Sequence, residues 1–171
     1  FGGNASAEAV RTLVKELTRA KVEMIFYKPF LKEIRAAGVS LYGNTFSGHK
    51  ELKEKIDFLF SIGGDGTLLE TVTLVRDSQI PVMGINTGRL GFLSSISANE
   101  IEKSIDSVLK GNYLLDNRTL LELEVNGKYF SDCKFALNEI AVQKTDSSSM
   151  VTIHASVNGK FLNSYWADGL I

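Results

Sequence analysis

The sequence is short of cysteine, proline, histidine and net charge, and each shortage removes a class of explanation. Cys133 is its single cysteine, so no disulfide can form within the chain, and a reducing, cytoplasmic setting fits. The two histidines, His49 and His154, stand far apart with no cysteine or acidic cluster at ligand spacing. That argues against a structural transition-metal site. Lys and Arg number 19 against 20 Asp and Glu, a formal net charge of -1, so no global positive field recruits nucleic acid or an anionic membrane. Apolar runs such as Ile80 to Ile85 are too short to cross a bilayer, and no charged start marks a cleavable leader. The expectation is a soluble chain without nucleic-acid or membrane partners.

What is present alternates in period. Val10, Leu13, Val14 and Leu17 recur at helical spacing after Ser6, leaving Arg11, Lys15 and Glu16 for the wet side. Val22 to Tyr27 reads as a strand, and Pro29 opens a helix carrying Phe30, Leu31 and Ile34 up to Gly38. Phe58 to Ile62 is a continuous apolar run suited to a strand covered on both faces, followed by a helix from Thr67 to Arg76 and a further strand from Val82 to Ile85. Ser97 and Glu100 have capping-box spacing ahead of Ile101, Ile105, Val108 and Leu109. Residues 1–116 therefore read as an α/β nucleotide-binding domain with a doubly wound parallel sheet.

The period changes near Asn117. Leu121, Leu123 and Val125 alternate with Glu122 and Glu124 before Asn126-Gly127, and a second run from Val151 to Val157 meets Asn158-Gly159 and Lys160 to Tyr165. Both Asn-Gly pairs suit type I' hairpin turns. Residues 117–171 read as a partial, sandwich-like all-β domain, incomplete at its carboxyl end. Phe1 to Asn4 reads as the end of a first strand running into a turn, and Ile171 stops inside an apolar pattern. Sequence is therefore expected beyond both ends, and the sheet that holds the run from Phe161 to Ile171 is expected to have missing neighbours.

Chemistry concentrates in two glycine-rich segments. Gly63-Gly64-Asp65-Gly66-Thr67 falls between a buried strand and a helix, at the carboxyl edge of the sheet, where ligands bind in open α/β folds. Glycines let the backbone approach phosphate oxygens, and the amides that open a helix favour anions. Asp65 would then face a polyphosphate or its hydroxyl acceptor. The same residues also satisfy a plain tight turn with Asp65 or Thr67 as helix cap. The second segment, Gly84-Ile85-Asn86-Thr87-Gly88-Arg89-Leu90-Gly91-Phe92, follows the next strand and should lie beside the first. Arg89 can reach phosphate bidentately or stand as a solvated charge. Phe92 can pack on a base or enter the core.

These two segments, with Leu137-Asn138-Glu139 and Asp168-Gly169-Leu170-Ile171, resemble the motifs of the NAD kinase family in the same order, across essentially the whole chain. The resemblance implies an amino-terminal α/β domain, a carboxy-terminal β domain and an NAD site between them. ATP or polyphosphate would be the phosphoryl donor, with a divalent metal, Mg2+ first, and a homo-oligomeric assembly. It implies Asp65 as general base on the 2'-hydroxyl, Gly66 and Phe92 lining the NAD pocket, Asn138 and Glu139 holding ribose and phosphate-side groups, and Asp168 in the NAD-binding set. Trp166 stands where related sequences often carry a basic residue, so an indole that can stack takes that position. The family continues past the Asp168 motif into a threonine-, glycine- and serine-rich NAD-binding loop.

Two physical points qualify these roles. An unperturbed aspartate titrates near pKa ~3.9, too low for strong proton abstraction, so orientation ranks ahead of proton acceptance for Asp65. Adjacent residues in a regular strand point to opposite faces, so Asn138 and Glu139 can share a pocket only at a bend or strand end. Two other functions stay open at this point. One is a lipid or sugar-phosphate kinase built on the same first loop, and the other is a nucleotide-binding module without transfer.

Overall fold

Helical spacing near the start of the chain becomes a helix that carries much of the core. The computed structural model of the protein describes residues 3–52, 56–88, 91–94, 96–126, 128–129, 134–145 and 149–171. Within them the chain divides into two compact units, Phe1–Asn117 and Arg118–Ile171. In the first, helix α1, Gly3–Arg19, buries Ala7, Ala9, Val10, Leu13 and Leu17. The strand-and-turn expectation for the opening residues is corrected, because Gly3 and Asn4 already belong to the helix. Ser6 lies inside that helix. It is fully buried, with its hydroxyl 2.8 Å from Thr87 Oγ1, and this contact ties down the first turns.

Strand β1, Ile25–Tyr27, pairs in parallel with β2, Asn44–Phe46. Between them, α2, Lys28–Ala36, has Pro29 in its first turn, where a missing amide hydrogen costs nothing, and buries Leu31 and Ile34. Strands β3, Leu59–Gly63, β4, Val82–Asn86, and β5, Ile96–Ser97, form a parallel sheet in that order. Parallel neighbours need a crossover. Helix α3, Asp65–Val75, supplies the one from β3 to β4 and packs on both strands.

A 3₁₀ turn over Ala98–Glu100 leads into α4, Ile101–Leu109. The Ser97 amide and hydroxyl donate to Glu100 Oε2 at 3.0 and 2.6 Å, and these bonds, the hydroxyl's first, hold the Glu100 carboxyl below its ordinary range. Ile101 and Ile105 face α1, and with Ile62 and Ile85 they close the core. For the site, the decisive register is Gly63 opposite Asn86, which sets the carboxyl ends of β3 and β4 side by side.

The second unit is antiparallel. Strand β6, Leu121–Glu122, is joined with β9, Phe135–Ala136, while β7, Glu124–Val125, meets β8, Lys128–Tyr129. Strand β10, Val142–Gln143, pairs with β13, Gly169–Leu170, and β11, Val151–Val157, with β12, Lys160–Ala167. Asn158 and Gly159 take φ of 51° and 76°, the left-handed pair a type I' turn requires, and Asn126 takes 51°. Gly127 lies outside the described residues.

Among the described residues every buried apolar side chain belongs to the first unit, while Phe161, Leu162 and Trp166 on β12 are exposed. No helix among the described residues is long and apolar enough to cross a membrane.

Candidate functional site

The first glycine-rich segment becomes a strand end, an extended Gly64 and a helix that starts at Asp65. Gly64, Gly66 and Thr67 are exposed. Amides in the first turn of a helix have no partner inside it and sit at the positive end of its dipole, so α3 presents an anion-binding end here. The Thr67 side chain folds over Gly63 into the space that a Cβ would fill. That contact explains a glycine at the strand end independently of any ligand.

The second segment is fastened to the first from below. The Thr87 amide donates to the Gly63 carbonyl at 3.3 Å. Asn86 is 5% exposed, its Oδ1 accepts from the Gly88 amide at 2.8 Å, and its Nδ2 lies 3.5 Å from the Ser94 carbonyl. An Asn bonding the amide two residues on is a turn device.

Across the gap, the Asp65 carboxylate accepts three consecutive amides: Phe92 on Oδ2 at 2.7 Å, and Leu93 and Ser94 on Oδ1 at 3.1 and 2.9 Å. The Ser94 amide foremost, then those of Phe92 and Leu93, hold the Asp65 carboxyl below its ordinary range against an opposing desolvation. Gly91 lies so close that a Cβ there would overlap the carboxyl group. The Phe92 ring, next in the chain, is 100% exposed. A charged group, a helix end, exposed glycines and a projecting aromatic ring therefore gather at one edge of the parallel sheet, a layout suited to a phosphorylated aromatic ligand.

Over residues 4–113 the sequence matches the ATP-NAD kinase N-terminal domain. The chain belongs to the NAD kinase family. An NAD kinase from Cytophaga hutchinsonii is 44% identical over 164 residues, covering 95% of this chain and 56% of that protein. One from Flavobacterium psychrophilum is 40% identical over 174 residues, covering 100% of this chain and 59% of that protein. The chain thus spans well under two thirds of the length of these relatives. The crystal structure of yeast NADH kinase complexed with NADH superposes with a TM-score of 0.78 at 25% identity, covering 96% of this chain and 52% of that one. An NAD kinase from Archaeoglobus fulgidus in complex with ATP gives 0.63 at 25% identity, covering 94% and 54%.

In this member of the NAD kinase family, Gly63, Gly64, Asp65, Gly66, Thr67 and Phe92 come together in the first unit. Arg89 lies outside the described residues. Asn138, Glu139 and Asp168 belong to the second unit. The backbone bends at Leu137 and Asn138 directly after β9, and Asn138 and Glu139 are both exposed. A bend is the geometry that lets neighbouring residues escape strand alternation. Asp168 sits at the bend between β12 and β13, with its Oδ1 2.6 Å from Lys144 Nζ. Lys144 Nζ also donates to the Ser149 carbonyl at 2.9 Å.

Asn86 and Gly91 stood in the second glycine-rich segment with no role of their own, and Ser94 and Lys144 were not singled out by the sequence. Asn86-Thr87-Gly88 carries a turn signal that local reading could have used. Nothing local links Asp65 to Ser94, 29 positions away. Among the described residues no group of three or more His, Cys, Asp or Glu is placed to hold a metal ion.

Proposed function

We propose that the protein is an NAD kinase, transferring a phosphoryl group from ATP to the 2'-hydroxyl of the adenosine ribose of NAD to give NADP. The observation that carries this reading is the ionised Asp65 at the head of α3, flanked by exposed glycines and bonded to the backbone of the exposed Phe92. Gly63, Gly64, Gly66 and Thr67 would form the phosphate loop, and Arg89 would add a phosphate contact. Gly66 and Phe92 would line the dinucleotide, with Asn138, Glu139 and Asp168 contributing ribose and phosphate-side contacts from the second unit. Residues 1–116 would act as the nucleotide-binding domain and 117–171 as part of a β domain.

Phosphoryl transfer through a loose transition state demands alignment and charge stabilisation more than early deprotonation. A lowered carboxyl pKa accords with that demand. Asp65 would orient the hydroxyl and receive its proton only as the oxygen–phosphorus bond completes. Mg2+ is commonly held through substrate phosphates and one or two carboxylates, not an all-protein cage. Such an ion would arrive on the donor's phosphates and neutralise their charge, while the Asp65 carboxylate is engaged by the amides of Phe92, Leu93 and Ser94. A homo-oligomeric assembly and a cytoplasmic location belong to the same proposal, and light scattering and a fluorescent fusion test them.

An acceptor and donor panel tests the function. With labelled ATP, NAD should accept phosphate while diacylglycerol and fructose phosphate should not, and substituting polyphosphate for ATP tests the donor. Labelling of a lipid or sugar in preference to NAD would assign the first loop to another kinase. Binding of NAD without labelling would make the protein a non-catalytic module.

A further inference from the structure

Most of the acceptor capacity of Asp65 is already used inside the chain. An ionised carboxylate offers about four lone-pair positions. Leu93 and Ser94 occupy those of Oδ1 and Phe92 takes one of Oδ2, which among the described residues leaves a single position on Oδ2. Three consecutive amides around one carboxylate form a closed nest, with the charge on the side chain instead of on a ligand. The absence of a side chain at Gly91 is what admits the carboxylate to this nest. Phe92 is held differently from a core aromatic. Its ring is wholly exposed, so the bond from its amide to Asp65, and not apolar packing, sets the backbone position from which the ring projects.

We propose that Asp65 is the positioning residue of the second glycine-rich loop: its carboxylate clamps residues 91–94, and so places the backbone from which the exposed Phe92 ring projects toward the acceptor. The role of the ring rests on the NAD kinase reading, whereas the clamp stands on the geometry alone. The open Oδ2 position lets the same carboxylate meet the acceptor hydroxyl without releasing the loop. Acceptor orientation and ring placement are thereby tied to one group. Replacing Asp65 removes both, so activity of that variant cannot separate them. Gly91 offers a way to disturb the clamp while the carboxylate stays.

The test is amide hydrogen exchange on the whole protein without nucleotide, comparing wild type with Asp65→Asn and Gly91→Ala, together with steady-state kinetics on NAD. In Gly91→Ala the amides of Phe92, Leu93 and Ser94, and in Asp65→Asn, which keeps one acceptor oxygen, at least that of Phe92, should lose protection by about tenfold or more, while those of Ile62 and Ile85 keep theirs. Gly91→Ala should raise KM for NAD by about tenfold and change kcat far less. Asp65→Asn should lower kcat. Asp65→Asn is nearly isosteric and provides the exchange result even where Gly91→Ala folds poorly. Unchanged exchange at residues 92–94 in Asp65→Asn overturns the clamp whatever the activity, and an unchanged KM in a folded Gly91→Ala overturns the placement of the ring. Wild-type protein that turns over no NAD would overturn the function reading while leaving the exchange result standing.

Discussion

Lys144 reaches Asp168 across a neighbouring strand, Nζ to Oδ1 at 2.6 Å, with the lysine side chain 16% exposed and the aspartate 67% exposed. Their backbones are also joined, the Lys144 amide donating to the Asp168 carbonyl at 3.0 Å. Removal of the cation leaves a carboxylate that water can reach, so the ion pair itself should contribute only about 0–1 kcal/mol. Lys144→Met should therefore lower stability by no more than about 1 kcal/mol in urea unfolding, with the strand pairing intact. A loss above about 3 kcal/mol would mean that Asp168 behaves as a buried charge, contrary to its exposure.

Asn86 is the buried polar hinge of the second glycine-rich loop. Asn86→Ala deprives the Gly88 amide of its acceptor and, because Gly88 is exposed and water can take the acceptor's place, the cost is that of one ordinary hydrogen bond, about 0.5–1.5 kcal/mol. Chemical denaturation should show a loss in that range, accompanied by a raised KM for NAD. Stability within about 0.5 kcal/mol of wild type would show that water replaces the amide side chain without penalty.

Local rules made much of this architecture readable. Pro29 opens a helix, Asn158-Gly159 turns a hairpin, and Gly63 to Thr67 joins a buried strand to a helix, because each depends on backbone preferences of a few adjacent residues. The start of α1 was missed because Gly3 and Asn4 favour a turn locally, whereas the burial of Ser6 and its contact with Thr87, 81 positions away, hold these residues to the core. The bonds of Asp65 to Phe92, Leu93 and Ser94 had no local signal either. An aspartate after two glycines reads as a ligand-facing group or a cap, and only the parallel register of β3 and β4 brings the second loop within reach. The bend at Asn138 was expected once the family resemblance put Asn138 and Glu139 in one pocket, because strand alternation forbids that in a straight strand. The pairing of Lys144 with Asp168 was not, since it depends on the antiparallel neighbour of β13.

The depressed pKa of Asp65 fixes the sign of a pH effect. In the unfolded chain an aspartate titrates near about 3.9, and in the folded protein the amides of Ser94, Phe92 and Leu93 lower this value. The folded state therefore binds this proton less readily than the unfolded state. The stabilising contribution is fully present above the unfolded value and is lost as pH falls through the folded one. The difference in melting temperature between wild type and Asp65→Asn should be constant from about pH 7 to about pH 5 and shrink on further acidification. A difference that grows with acidification would contradict the clamp as the cause of the shift.

Phosphorylation of NAD at this site should depend on Asp65. The most direct measurement is the rate at which NADP appears when the protein is incubated with NAD, ATP and Mg2+, detected by an NADP-specific dehydrogenase. Wild type should form NADP, and Asp65→Asn, still folded by circular dichroism, should do so about 10²–10⁴-fold more slowly. NADP formation at the wild-type rate by Asp65→Asn, or none at all by the wild-type protein, would contradict the account.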